Sequence, residues 1–161
     1  MGETHFTLIN HPACLANENH WIKGQVHHPI TEKGWETLNE MIGALKKKRF
    51  DRIYSSDLDP CLEAASYLSK ELQVEHRVEK ELRVRQSGCW TGKKIPLAQQ
   101  VSDLLVEMHD RESDNELRLR AVSALKKISR GEPGKQVLLV LNSSLTQALL
   151  QAQKSLPIHT L

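Results

Sequence analysis

Val137-Leu138-Leu139-Val140-Leu141 is an uninterrupted apolar run, bounded by the turn-rich Gly131 to Gly134 and by Asn142-Ser143-Ser144. A strand with one wet face alternates apolar and polar residues, so an unbroken run marks a strand buried on both faces, as in a parallel sheet. Parallel neighbours cannot be joined by tight hairpins; they need crossover connections, usually helices. The run therefore predicts an α/β chain with helices on both faces of a mostly parallel sheet.

The rest of the chain supplies the expected partners. Thr4 to Ile9 reads as a strand that ends at Asn10-His11-Pro12, and Asp51-Arg52-Ile53-Tyr54 as a second. Val74 to Val78 is a weaker third. Thr31 caps a helix carrying Trp35, Leu38, Ile42 and Leu45 on one stripe and ending in Lys46-Lys47-Lys48-Arg49, where positive charge suits the helix dipole. Ser55-Ser56-Asp57 reads as a loop with an N-cap, before a helix with Leu58, Leu62, Ala65 and Leu72 on one side. Ser113-Asp114-Asn115-Glu116 is a capping box for a helix with Leu117, Ala121, Ala124, Leu125 and Ile128 on its stripe. Asn142-Ser143-Ser144 opens a last helix through Leu145, Leu149 and Ala152. Between residues 79 and 112 the pattern yields only one helix, Leu97 to Met108.

With 161 residues the chain is expected to be a single domain, 1–161. A net charge of +2 with interspersed signs gives no electrostatic case for nucleic acid or an anionic membrane. No apolar run approaches the roughly 20 residues of a membrane-spanning helix, and the start lacks a signal-peptide pattern. Cys14, Cys61 and Cys89 are an odd count without a CxxC pair, which reads as reduced thiols in a cytoplasmic protein. His20, His27 and His28 with Cys14 match no structural zinc spacing, so neither a metal site nor a cofactor is expected.

In a parallel α/β sheet the binding crevice lies beyond the carboxyl ends of the strands. Asn10 to Cys14, Ser55 to Cys61 and Asn142 to Ser144 are the loops there. Helix N-termini at Ser56 to Asp59 and Ser143 to Leu145 would present N–H groups to an anion above His11. Trp21 is the aromatic candidate for a ligand contact, while Trp90 reads as a packing residue.

At these loops the chain resembles the histidine phosphatase (phosphoglycerate mutase-like) superfamily. The resemblance runs through Asn10-His11-Pro12-Ala13-Cys14 with Asn17, then Lys23-Gly24, His27, Pro29-Ile30-Thr31 and Gly34. It continues in Phe50 to Leu58, Leu82-Arg83, Gly88-Cys89-Trp90-Thr91-Gly92, Glu112-Ser113 with Arg120, and Val137 to Ser144. The resemblance implies a three-layer sandwich, a phosphomonoester substrate and His11 as the residual nucleophile.

It also implies losses. The family's two phosphate-binding arginines correspond to Asn10 and Pro60, its second histidine to Asn142 and its proton donor to Val84. Arg83, Arg85, Lys23, His27 and His28 occupy no family phosphate position, which suggests a neutral pocket around a lone imidazole titrating near pH 6.5. Asn17, Lys23, Ser55, Ser56, Ser143 and Ser144 are the candidate ligand-binding residues.

The expectation is a catalytically inactive relative, a pseudophosphatase acting as a binding or regulatory module. An atypical phosphatase using His11, or a structural subunit with a non-functional pocket, are the alternatives. Expected partners are a weakly held anion or phosphorylated ligand, and a second copy or a protein partner, because the chain is shorter at its C-terminus than family members usually are.

Overall fold

The strand Gln136–Leu141 sits at the centre of a five-stranded, wholly parallel sheet. The computed structural model describes residues 2–88, 91–94, 111–152 and 156–161. Within them the strands are β1 (His5–Asn10), β2 (Arg52–Ser55), β3 (His76–Val78), β4 (Gln136–Leu141) and β5 (Ile158–Thr160). Their spatial order is β3-β2-β4-β1-β5, with Leu138 level with Thr7 on one side and Ile53 on the other. The helices are α1 (Leu15–Glu18), α2 (Glu32–Lys46), α3 (Cys61–Leu72), α4 (Asp114–Gly131) and α5 (Ser143–Gln151), with a 3-10 turn at Lys80–Leu82.

The central run behaves as its composition demands: all five residues from Val137 to Leu141 are fully buried. Val137, Leu139 and Leu141 join Phe6, Leu8 and Tyr54 against Leu117, Ala121 and Leu125 of α4 and Leu145 and Leu149 of α5. Leu138 and Val140 point the other way, with Ile9 and Ile53, against Leu38 and Leu45 of α2 and Ala64, Ala65 and Leu68 of α3. Each of the larger aliphatic or phenylalanine side chains among them contributes roughly 1.5–3 kcal/mol of burial free energy. The result is the expected helix–sheet–helix sandwich of an α/β fold.

Capping chemistry sets three helix starts. The Thr31 hydroxyl accepts from the Gly34 N–H at 3.3 Å, and Gly34 has no room for a Cβ, which would lie 2.1 Å from the Ala13 carbonyl oxygen. Ser113 and Glu116 form the full capping box, at 3.1 and 2.7 Å. The Asn142 side-chain oxygen accepts from the Ser144 N–H at 2.8 Å.

Three local features differ from the sequence reading. Helix α3 starts at Cys61 with Pro60 as its N-cap residue, because the Ser56 hydroxyl accepts from the Leu58 N–H and turns the chain before the helix begins. The single turn α1 has no counterpart in the sequence pattern; Asn17 ties it by accepting from the Cys14 N–H at 3.1 Å. The short β5 was not foreseen either, since only Ile158 of its three residues is buried; it pairs with β1 and covers that edge. The helix expected at Leu97 to Met108, together with Cys89 and Trp90, lies outside the described residues.

Candidate functional site

His11 follows β1 at the carboxyl end of the sheet, its N–H donating to the Leu141 carbonyl at 2.9 Å. Its imidazole is held at both nitrogens. Nδ1 lies 2.6 Å from the Pro12 carbonyl oxygen, an acceptor only, so Nδ1 carries the proton. Nε2 then presents a lone pair, and the Lys23 ammonium donates to it at 2.9 Å. Burial, then the Lys23 charge, and then His28 push the His11 pKa down to about 4, against the opposing bond to Pro12. The imidazole is therefore neutral near pH 7 and titrates well below the expected value of about 6.5.

Lys23 changes the site from the one the sequence suggested. The imidazole is not alone in a neutral pocket: a cation sits directly on its open nitrogen. The Lys23 backbone is fixed by the His28 ring, whose Nε2 donates to its carbonyl at 2.9 Å. Gly24 follows at φ +56°, and a Cβ there would come within 2.1 Å of the Thr91 hydroxyl oxygen, so the chain passes close under that residue. Burial lowers the pKa of Lys23, with Cys14 and Cys61 acting the other way.

Two spaces adjoin this pair. Beside His11 is a narrow gap of about 10 Å³, walled by Lys23, His28, Ser56, Pro60, Val84 and Asn142. That is room for about one water molecule and not for a phosphoryl group. On the far side of Lys23 lies an open cleft of about 340 Å³, whose walls include Asn17, Trp21, Arg85, Arg111, Ser143 and Ser144.

The structure thus gathers most of the candidates but gives several of them other work. Asn10 lines neither space; its side-chain oxygen accepts from the Thr146 hydroxyl at 2.7 Å. Ser55 is also outside both, donating to the Ser56 carbonyl and accepting from His76 Nε2, each at 2.8 Å. Asn17 reaches the cleft wall while its side-chain oxygen accepts from the Cys14 thiol at 3.0 Å. Three of the N–H groups expected to face an anion are committed: Leu58 to the Ser56 hydroxyl, Asp59 to His27 Nδ1, and Ser144 to Asn142.

The nearby charges divide in the same way. Arg83 grips Asp57 through two bonds of 2.6 and 2.5 Å and so does not line the cleft. His27 is engaged by Asp59, whose backbone N–H donates to its Nδ1 at 3.2 Å. Arg85 lines the cleft while bonded to the Glu112 carbonyl and to Asp114. The segment carrying Val84 and Arg85 is clamped from α4: Arg120 holds both Glu112 oxygens, at 2.7 and 2.8 Å, and donates to the carbonyls of Glu81 and Arg83. Arg111 is the cleft residue that the sequence reading passed over; its place just before the Glu112-Ser113 segment was the available signal.

Among the described residues no group of three or more His, Cys, Asp or Glu side chains could hold a metal ion. Cys14 and Cys61 are free and buried, and burial pushes the Cys61 thiol up to about 12, too high for a reactive thiolate. No described helix is long and apolar enough to cross a membrane.

Residues 6–161 match the sequence family described as histidine phosphatase superfamily (branch 1). The chain belongs to that superfamily. No curated protein matches it in sequence. Among solved structures it is similar to a phosphoglycerate mutase from Bacillus anthracis, at 22% identity and a TM-score of 0.83, covering 96% of this chain and 81% of that one. Bacillus stearothermophilus YhfR superposes with a TM-score of 0.87 at 23% identity, over 96% and 81% of the two chains. An alpha-ribazole phosphatase from Shigella flexneri gives 0.80 at 19% identity, over 93% and 79%. At these identities the likeness establishes a shared fold.

Proposed function

We propose that this chain is a catalytically inactive histidine phosphatase-like protein, a pseudophosphatase, that works as a binding or regulatory module for an anionic ligand. The observation that carries the reading is the Lys23 ammonium on His11 Nε2, beside which only about 10 Å³ remains. A histidine nucleophile needs its lone pair free and in line with the phosphorus, and this one is occupied.

The surrounding substitutions point the same way. A phosphoryl group in transfer is stabilised by preorganised cations, and the loss of a single such donor costs roughly 100- to 1,000-fold in rate. Asn10 and Pro60 stand where the resemblance places arginines, and Asn10 is engaged with Thr146. Val84, at the proton-donor position, has nothing to give a leaving group. Lys23, Arg85 and Arg111 instead place positive charge along the open cleft, which suits a phosphorylated or carboxylated small molecule or peptide. Buried free thiols at Cys14 and Cys61 fit a cytoplasmic setting.

The test is hydrolysis of p-nitrophenyl phosphate by the purified protein beside its His11→Ala variant. The expected result is identical rates, both at background. Turnover that vanishes with His11→Ala would establish an atypical phosphatase instead.

A further inference from the structure

We infer that Lys23 is a nucleophilic amine with His11 as its base, and that the cleft takes an anionic carbonyl compound that forms an imine with Lys23. This rests on reading the cleft as an anion site, and adds to it a covalent chemistry.

The geometry is that of an activated nucleophile: a nucleophile within hydrogen-bond reach of a base, and a third group that orients the base. Lys23 Nζ is 2.9 Å from Nε2, and the Pro12 carbonyl, 2.6 Å from Nδ1, fixes the tautomer in which Nε2 can accept a proton. The roles are inverted from those the resemblance implies, because the imidazole serves an amine and does not itself attack.

Lys23 is also placed to meet a ligand. It borders both the narrow gap and the open cleft, and among the described residues it is the one lysine on the cleft wall. Arg85, Arg111 and Ser143 on the same wall would hold an anionic group, and Trp21 offers a flat apolar face. The lowered pKa of Lys23 favours the free amine that the reaction needs.

The step balances without an outside reagent. The Lys23 ammonium first gives a proton to water, and the amine lone pair attacks the carbonyl carbon. The carbon–nitrogen bond forms, His11 Nε2 takes a proton from the carbinolamine nitrogen and passes it to the oxygen, and that oxygen, gaining its second proton back from water, leaves as water to give the protonated imine.

Pyridoxal 5′-phosphate serves as the probe, an aldehyde and an anion in one molecule. It would be added at one equivalent near neutral pH and trapped with cyanoborohydride, and the modified lysines identified by peptide mass spectrometry. The expected result is a single adduct at Lys23, formed at least about tenfold faster than at any other lysine and lost in Lys23→Arg. His11→Gln should slow it by about 100-fold, the lower range for a positioned base. Labelling spread over surface lysines, or Lys23 reacting no faster in the native than in the unfolded protein, overturns the inference. Pyridoxine 5′-phosphate, the same anion without the aldehyde, separates the two claims. If it raises the melting temperature while Lys23 stays unlabelled, the anion site stands and the amine chemistry fails. If it raises nothing and Lys23 stays unlabelled, both fail.

Discussion

Replacing Glu132 by alanine should lower the melting temperature by roughly 6–12 °C, corresponding to a loss of about 3 kcal/mol in a domain of this size. Glu132 follows α4 and its side chain is completely buried. One carboxylate oxygen accepts from the Tyr54 hydroxyl at 3.0 Å, from Arg52 Nε at 3.1 Å and from Arg77 at 2.9 Å. The other lies 2.8 Å from the Lys135 ammonium. The residue thus joins β2 and β3 to the α4–β4 connection, on the side of the sheet away from His11.

Its removal would leave a buried tyrosine hydroxyl and three cations without their shared acceptor. The cations reach water in part, which places the loss at the lower end of the range for a broken buried pair. Glu132→Gln, which keeps the shape and an acceptor for Tyr54, should lose less. Burial raises the Glu132 pKa, but the bonds from Lys135 and Tyr54 and the charge of Arg52 outweigh it and hold the carboxyl below its usual range. This stabilisation is therefore present above the ordinary carboxylate pKa and fades as pH falls through the lowered one. Thermal unfolding of the two variants near neutral pH checks the ranking; an unchanged melting temperature in Glu132→Ala would contradict it.

Acidification from about pH 6.5 to about pH 4 should remove about 3 kcal/mol of stability through His11 alone. The sign follows from proton uptake. In the unfolded chain the imidazole binds its proton near pH 6.5, and in the folded chain only near 4, so in this window the unfolded state holds more protons. Acid therefore favours unfolding, and the contribution is fully present above pH 6.5 and lost as pH falls through about 4. Each unit of displacement is worth about 1.4 kcal/mol, which gives the total. Burial lowers the pKa of His76 in the same direction, so the test is a difference. Denaturant unfolding of wild type and His11→Gln across the window should give curves that converge as pH falls. Parallel curves would mean that His11 titrates normally.

The unbroken run at Val137 to Leu141 made the parallel sheet legible, and Thr31, Ser113 and Asn142 marked three helix starts, because these signals act within a few residues. Strand β5 escaped notice because so short a segment needs β1 beside it to become a strand. The site was legible in its location and not in its electrostatics. His11, Pro60, Val84 and Asn142 were placed together by the order of the family-like segments. That Lys23 sits on Nε2 follows from the turn at Gly24 and the His28 bond to its carbonyl, which no local pattern announces. Nor does any local pattern announce that Ser56, His27 and Asn142 take up three of the expected N–H donors, those of Leu58, Asp59 and Ser144.

The central claim, that His11 is a neutral imidazole locked between Pro12 and Lys23, is tested most directly by ring nitrogen NMR of the labelled protein. Nδ1 should carry the proton and Nε2 accept a hydrogen bond, unchanged on titration until a midpoint near pH 4. Lys23→Ala should move this midpoint upward, as the neighbouring charge is removed. A midpoint near 6.5 in the native protein, or ring signals that shift when inorganic phosphate is added near neutral pH, would contradict it and return His11 to the role of a free nucleophile.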